Sequence, residues 1–398
     1  MRWRFLTERD LLEWQEKQTA LFAADNLWSK FLAVYESIEA AFAAGERPSM
    51  EVIQEIASLI FAIHRDLAWE IGLGPDGRFN FIITTEMSYE LQALCDAVIE
   101  RHPPLPSWDF LSYRQPVPVH TLRSGCLSRL GRELPEQLEF KLVPLELNSF
   151  ELLMRSSEYE GEESEGSLWE AFLIASLVLG EEDLEKWVSF VQTCRYVSSP
   201  SLLKKAVIAG EWFKPEQFRE HFLAEKQKML SRLPAQPLSQ LLDLDSSART
   251  MIQGTADDQE SNRLTISTMV PKAIMAYLKF PAFYSERFTA TGERFCYIKI
   301  SAYVPMEDRL DNRYLLETRL DELLRGHEMG LVVGSGFSDG FDFIDLAISR
   351  LDMAVPALRE FFEEIPEIEQ GWLLFCDELF EDEWVPLTSK TSSPVAMS

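Results

Sequence analysis

Positive charge is what this sequence has least of. Lys and Arg together number 38 against 65 Asp and Glu, for a formal net charge of −27. A chain this acidic is repelled by phosphate backbones and by anionic lipid, so neither nucleic acid nor a membrane is expected as a partner. A basic protein is the partner such a field attracts. Histidine is scarce too. The five (His64, His102, His120, His221 and His327) form no H-x-x-x-H or H-E-x-x-H arrangement, so no metal site is expected. The five cysteines (Cys95, Cys126, Cys194, Cys296 and Cys376) are far apart and make no C-x-x-C pair. That pattern predicts reduced thiols in a cytoplasmic protein. No uncharged apolar run approaches the roughly 20 residues that span a bilayer. Met1-Arg2-Trp3-Arg4 followed by Thr7-Glu8-Arg9-Asp10 has no apolar core of the kind a signal peptide needs.

Apolar material is plentiful: 46% of the 398 residues are hydrophobic and 12% aromatic, enough for two or three folded domains. The expected class is α+β. Residues 1–197 read as a helical lead-in followed by an antiparallel α+β sheet domain. Thr7 with Asp10 resembles a helix cap, and apolar positions keep helical spacing through Phe42 and again from Val52 to Ile63. The period then shortens. Leu67–Ile71 and Phe79–Ile83 read as strands joined through Pro75-Asp76-Gly77, where proline presets φ and glycine takes a positive one. A helix through Leu91, Cys95 and Val98 follows, then strands at 108–113, 139–145 and 150–154. Two short helices, 168–179 and 183–191, are broken at Gly180. Residues 198–262 read as a helical connector ending in a polar linker, with Pro215 in the first turn of its helix.

In residues 263–388 the order is strand, helix, strand, strand, helix, strand, the signature of a ferredoxin-like domain. Asn312 is expected to precede its first helix, and Asp352 to cap its second. The glycine-rich stretch Gly326–Gly340 supplies the turn of its central hairpin. Within it, Gly336-Phe337-Ser338-Asp339-Gly340 matches the G-x-S-x-G of a hydrolase nucleophile elbow. That motif needs a helix after it, and Phe341–Ile348 reads as a strand. Gly334, Gly336 and Gly340 also miss the spacing of a dinucleotide loop, so no cofactor is expected. Residues 389–398 read as a disordered tail.

The two hairpins echo each other. Gly72-Leu-Gly74-Pro-Asp76-Gly77-Arg-Phe79-Asn-Phe81-Ile82 parallels Gly334-Ser-Gly336-Phe-Ser-Asp339-Gly340-Phe341-Asp-Phe343-Ile344, and each is followed by a helix and a strand starting at Trp108 or Trp372. A distant duplication would put an α+β sheet in both halves, though Asp-Gly turns and Phe-x-Phe strands also recur independently.

No catalytic constellation stands out. The candidate ligand-binding acids are Glu70, Asp339, Asp342 and Asp345. The three-residue step from Asp342 to Asp345 sends them to opposite faces of a strand, so they cannot share one metal ion. Buried, Asp345 would be a functional-site candidate; satisfied by backbone at a strand end, it would be structural. Asp377-Glu378-Leu-Phe-Glu381-Asp382-Glu383-Trp384 mixes acids with aromatics. It reads either as a solvated tail or as a docking surface for a basic partner.

Leu67-Ala-Trp-Glu-Ile-Gly, Phe79-Asn-Phe-Ile-Ile-Thr-Thr, Pro104-Leu-Pro-Ser-Trp108-Asp-Phe and Leu177-Val-Leu-Gly180-Glu181-Glu-Asp183 resemble uncharacterised bacterial proteins classed as domains of unknown function. The resemblance spans roughly residues 28 to 195. It implies an architecture and no catalytic residues. The leading expectation is therefore a non-enzymatic binding or regulatory protein. The alternatives are an enzyme with carboxylates in an interdomain cleft, and an immunity-type protein that neutralises a basic toxin.

Overall fold

The computed structural model describes residues 11–74, 77–159, 165–195, 210–245, 247–253, 265–280, 282–302, 308–338, 340–380 and 383–394. It is a mixed α+β protein that divides into two compact units, with the division between Lys226 and Gln227. The division falls within the expected connector, whose structured parts are built into the units on either side. Thr7 and Asp10, and the polar stretch 254–262, lie outside the described residues.

The first unit opens with α1 (Leu11–Ala43), a single helix of 33 residues. Neither proline nor glycine interrupts it, which is why two expected segments merge into one. Helix α2 (Met50–Ile63) begins at Ser49, whose side chain accepts from the Val52 N–H. Strands β1 (Ala68–Leu73) and β2 (Phe79–Thr84) form the expected hairpin. The chain then passes through α3 (Tyr89–Ile99) to β3 (Trp108–Leu111), which pairs parallel to β2. Trp28, Phe31, Phe81, Trp108 and Phe110 meet edge-on between α1 and this sheet; the Phe31 and Trp108 centroids are 4.9 Å apart at 89°.

A second small sheet repeats the topology. After α4 (Leu122–Leu130), β4 (Glu139–Leu145) and β5 (Ser149–Ser156) make a hairpin. Helices α5 (Glu165–Leu179) and α6 (Glu181–Trp187) then lead to β6 (Val188–Arg195), parallel to β5. So the expected antiparallel sheet is two three-stranded mixed sheets, in orders β1-β2-β3 and β4-β5-β6. A helical crossover returns the chain to the same end of the sheet, which makes the third strand parallel. The helix expected over 183–191 stops at Trp187, where Val188–Arg195 begins a strand that pairs with β5. Helix α7 (Pro215–Leu230), from the expected connector, lays Phe218 on Phe140 at 4.7 Å and Phe222 near Phe150 at 5.6 Å.

The second unit contains the one-turn α8 (Leu238–Leu241), α9 (Pro271–Lys279), α10 (Arg309–Gly326) and α11 (Leu351–Glu363). Asn312 lies inside α10 and Asp352 in the first turn of α11, one helical turn or less from their expected places. Strands β7 (Thr250–Gln253), β8 (Thr265–Thr268), β9 (Arg294–Ser301), β10 (Gly330–Ser338), β11 (Phe341–Ile348), β12 (Gly371–Phe375) and β13 (Trp384–Pro386) form one antiparallel sheet ordered β13-β12-β9-β11-β10-β8-β7. Ile298, Ile300, Ile344, Leu346 and Leu373 bury one face against Leu316, Leu320 and Leu324 of α10 and Val355, Leu358 and Phe362 of α11. Residues 389–394 are not loose. The Trp372 indole donates to the Ser392 carbonyl at 2.7 Å, and Thr391 Oγ1 bonds Gly371.

The glycine-rich stretch is mostly strand. β10 runs to Ser338, and Gly340, at φ +83, turns the chain into β11. Gly334 and Gly336 instead sit where a Cβ would lie 2.7 Å from the Ser267 carbonyl oxygen and 2.5 Å from that of Thr265. Their missing side chains let β8 approach, with a bulge between Val332 and Gly334. Ser338 is buried and paired with Phe341, and a strand follows it, so the nucleophile-elbow match has no structural counterpart.

Candidate functional site

Glu70 is on β1 and stays 44% exposed, but it is committed. Arg114 Nε donates to its Oε1 at 2.6 Å and Arg129 reaches the same oxygen at 3.0 Å. Arg114 also bonds Glu86 at 2.8 Å and Glu181 at 2.9 Å, so two arginines meet three carboxylates. Glu181 is the buried member. It accepts from Thr84 Oγ1 at 2.7 Å and from the Arg114 N–H at 2.9 Å. It is placed by Gly180, whose φ of +88 and close approach to Pro116 leave no room for a side chain. Glu86 and Met87, both at positive φ, turn the chain after β2. Burial alone would lower the Arg114 pKa; Glu181, Glu86 and Glu70 outweigh it and raise the value, locking the guanidinium in its charged form. This network fastens β1, the turn after β2 and the start of α6 to Arg114, three residues beyond β3.

Asp342 plays the same part in the second unit, at greater depth. Its Oδ1 accepts from Arg309 at 3.0 Å, with Arg313 at 3.7 Å. Arg309 also donates to the Phe341 carbonyl at 2.7 Å. Glu317 joins through Arg249 at 2.9 Å and Arg313 at 3.6 Å. Asp345 is 1% exposed on the opposite sheet face, in register with Tyr297. The separation of the two aspartates onto opposite faces is as the three-residue step requires. Asp339 lies outside the described residues. Within the second unit Asp342 and Asp345 are therefore not brought together, and each described candidate acid is built into strand structure. Among the described residues, no group of three His, Cys, Asp or Glu is placed to hold a metal ion.

The acid–aromatic run is neither tail nor loose surface. Glu378–Phe380 is a 3-10 turn, Trp384–Pro386 is β13, and Asp377, Leu379, Phe380, Glu383 and Trp384 are buried. Glu381 and Asp382 lie outside the described residues. The run forms one side of a cleft of about 280 Å³ whose other walls include Tyr277, Phe283, Tyr297 and Phe375. Asp377, 1% exposed, is held by the Ser285 N–H and Oγ–H, each at 2.6 Å, with Arg294 at 3.5 Å. Burial pushes its pKa up against the opposing pull of Arg294 and Ser285.

Sequence reasoning named Glu70 and Asp342 and missed the acids beside them, Glu86, Glu181 and Glu317, as well as the arginines. Arg114, Arg129, Arg309 and Arg313 are isolated arginines, and only tertiary contact distinguishes them from surface ones. The aromatic walls were equally hidden: Tyr297 and Phe375 read as ordinary strand positions, and no element was expected at Tyr277. No family model, no curated protein and no solved structure matches the chain.

Proposed function

We infer that this chain is an acidic, non-enzymatic binding or regulatory protein of the cytoplasm that engages a basic protein partner. One observation carries the reading: acids outnumber bases by 65 to 38, and part of the scarce positive charge is used inside the protein. Arg114, Arg309 and Arg313 have side chains no more than 12% exposed and are bridged to acids. These pairs withdraw acid and base together, and among the described residues more acids than bases are buried, so the negative field rests on the net charge of −27 and not on the burial of arginine. Glu70, with Asp345 one of the two acids that an enzymatic reading would use, is spent on Arg114 and Arg129, which favours the binding reading. In this reading β9-α10-β10-β11-α11-β12, with sheet order β12-β9-β11-β10, is a ferredoxin-like module widened by β7, β8 and β13.

The test is titration of the full chain with a small, strongly basic protein over a range of ionic strength. Affinity is expected to be measurable at low salt and to fall steeply as the Debye length shrinks to about 8 Å. Absent binding, or binding that ignores salt, overturns the reading.

A further inference from the structure

A cleft in the first unit gathers charges of both signs without pairing them. It encloses about 690 Å³ between α4, the segment from Glu133 to Glu139 and the start of α7. Arg123 and Lys214 line it together with Glu133, Glu136 and Glu216. Among the described residues, none of these five side chains has an ion-pair or hydrogen-bond partner. Glu139 also lines the cleft but is taken by Arg155 at 2.7 Å, so it is left out of the count. The remaining lining is apolar at Leu134, Pro135 and Leu138, of which Pro135 and Leu138 are buried.

The walls that carry these charges are fixed by other groups. Ser156 Oγ donates to the Glu136 carbonyl at 2.8 Å, and the Glu136 N–H donates to Glu158 at 2.5 Å. Arg132, at the start of the same segment, bridges Glu158 at 3.0 Å and Glu170 at 2.9 Å. On the opposite wall, Phe213 and Phe140 exchange both backbone bonds at 2.8 Å. The Gln217 and Phe218 N–H groups then hold the Lys214 carbonyl, each at 3.0 Å. Gln137, between the two walls, has a φ of +53, a conformation uncommon outside glycine and concentrated at binding sites. A frame ordered in advance lowers the cost of binding a ligand.

We propose that this cleft binds a zwitterionic dipeptide or tripeptide, its carboxylate against Arg123 and Lys214 and its ammonium among Glu133, Glu136 and Glu216. Charge of both signs selects the occupant. An anion alone would meet three carboxylates and a cation alone two bases, whereas a ligand with one charge at each end satisfies both sets. The apolar lining at Pro135 and Leu138 receives the body between the ends. The volume falls in the range of roughly 300 to 1,000 Å³ that holds organic ligands. The proposal goes beyond the binding reading above and does not rest on it.

The experiment uses the full chain with leucyl-alanine and two blocked forms of it. The N-acetyl form lacks the ammonium, and the C-terminal amide lacks the carboxylate. Free leucine serves as the smaller zwitterion, and binding is read by calorimetry at low ionic strength. The free dipeptide is expected to bind about tenfold more tightly than either blocked form, and more tightly than leucine. Its advantage over the amide is expected to vanish in the double variant Arg123→Gln with Lys214→Gln. Its advantage over the N-acetyl form is expected to vanish in Glu133→Gln with Glu216→Gln. All four side chains are exposed, so both variants should fold, and melting curves check that they do. No binding of the free dipeptide at millimolar concentration, equal binding of the blocked forms, or losses that do not follow the missing charge overturn the proposal. Leucine binding as tightly as the dipeptide overturns the choice of a peptide as occupant. The titration with a basic protein addresses the binding reading separately, and either result there leaves this one standing or falling on its own.

Discussion

The hairpins β1–β2 and β10–β11 are written in nearly the same letters and used in opposite ways. Both turn through a glycine at nearly the same φ: +82 at Gly77 and +83 at Gly340. Both continue as Phe-x-Phe-Ile, and both precede a helix and a strand that begins at or beside a tryptophan. Their surroundings then diverge. β1 is an edge strand, and a Cβ on Gly72 would meet nothing within 4 Å. β10 and β11 lie inside a seven-stranded sheet, where Gly334 and Gly336 are pressed against β8. The returning strands differ as well. β3 joins the hairpin directly, parallel to β2, whereas β12 pairs with β9, because β9 already occupies that side of β11. A shared local code fixes a turn; the neighbours decide what the rest of the strand is for.

The largest test of this contrast is the acid in each arginine network. Asp342→Ala leaves Arg309, with a side chain only 6% exposed, without its carboxylate, and should cost about 3 to 5 kcal/mol. Hydrogen exchange of the β11 amides reads the loss in the second unit alone, which avoids assuming that two units melt as one. The paired change Arg309→Met with Asp342→Leu should recover most of it, since a buried ion pair is often replaceable by apolar groups. No recovery would mean that Arg309 matters through its bonds to the Ser338 and Phe341 carbonyls and not through Asp342.

Next in size are the strand glycines. Gly334→Ala and Gly336→Ala force backbone apart and should each lose about 1 to 3 kcal/mol. Gly72→Ala, in open space, should be neutral or stabilise by up to about 1 kcal/mol. Urea unfolding of the three variants decides it; equal effects at all three sites would erase the distinction between an edge and a central hairpin. The turn glycines should then restore the likeness. Gly77→Ala and Gly340→Ala, both with open space and matched φ, should each cost about 1 to 2 kcal/mol, the same within error. A difference larger than that spread would show that the two turns are not equivalent.

Much of the second unit was legible because its signals are local. Alternation of Tyr297 and Lys299 with Ile298 and Ile300, and apolar spacing through Leu316, Leu320 and Leu324, each mark an element without reference to a partner. What stayed hidden depends on distant contact. β7 and β8 flank a polar segment and have four residues each, too short for periodicity to declare. Gly334 and Gly336 look like turn residues until β8 is seen beside them. The parallel pairing of β3 and β6 cannot be read from strand letters, since it follows from where the crossover helix returns the chain. The candidate site was half legible. Mixed acids and aromatics at 377–384 drew attention to the right segment, but its burial and its facing wall at Tyr277 and Tyr297 come from tertiary structure alone.

The smallest expected effect is at Glu70, and it carries the comparison furthest. Glu70→Gln removes one of the three carboxylates around Arg114, leaving Glu181 and Glu86 in place. Arg129 loses the charged end of its bridge, but its side chain is 23% exposed and water reaches it. Glu70 is more than a third exposed, so its charge is screened and the loss should stay under about 1 kcal/mol. Added salt should shrink that difference further, whereas the Asp342→Ala loss, buried from solvent, should barely respond to salt. Thermal unfolding of both variants at low and high ionic strength separates the cases. If Glu70→Gln proves as costly and as salt-insensitive as Asp342→Ala, then Arg114 is an interior anchor like Arg309, and the two hairpins differ in their glycines but not in their charges.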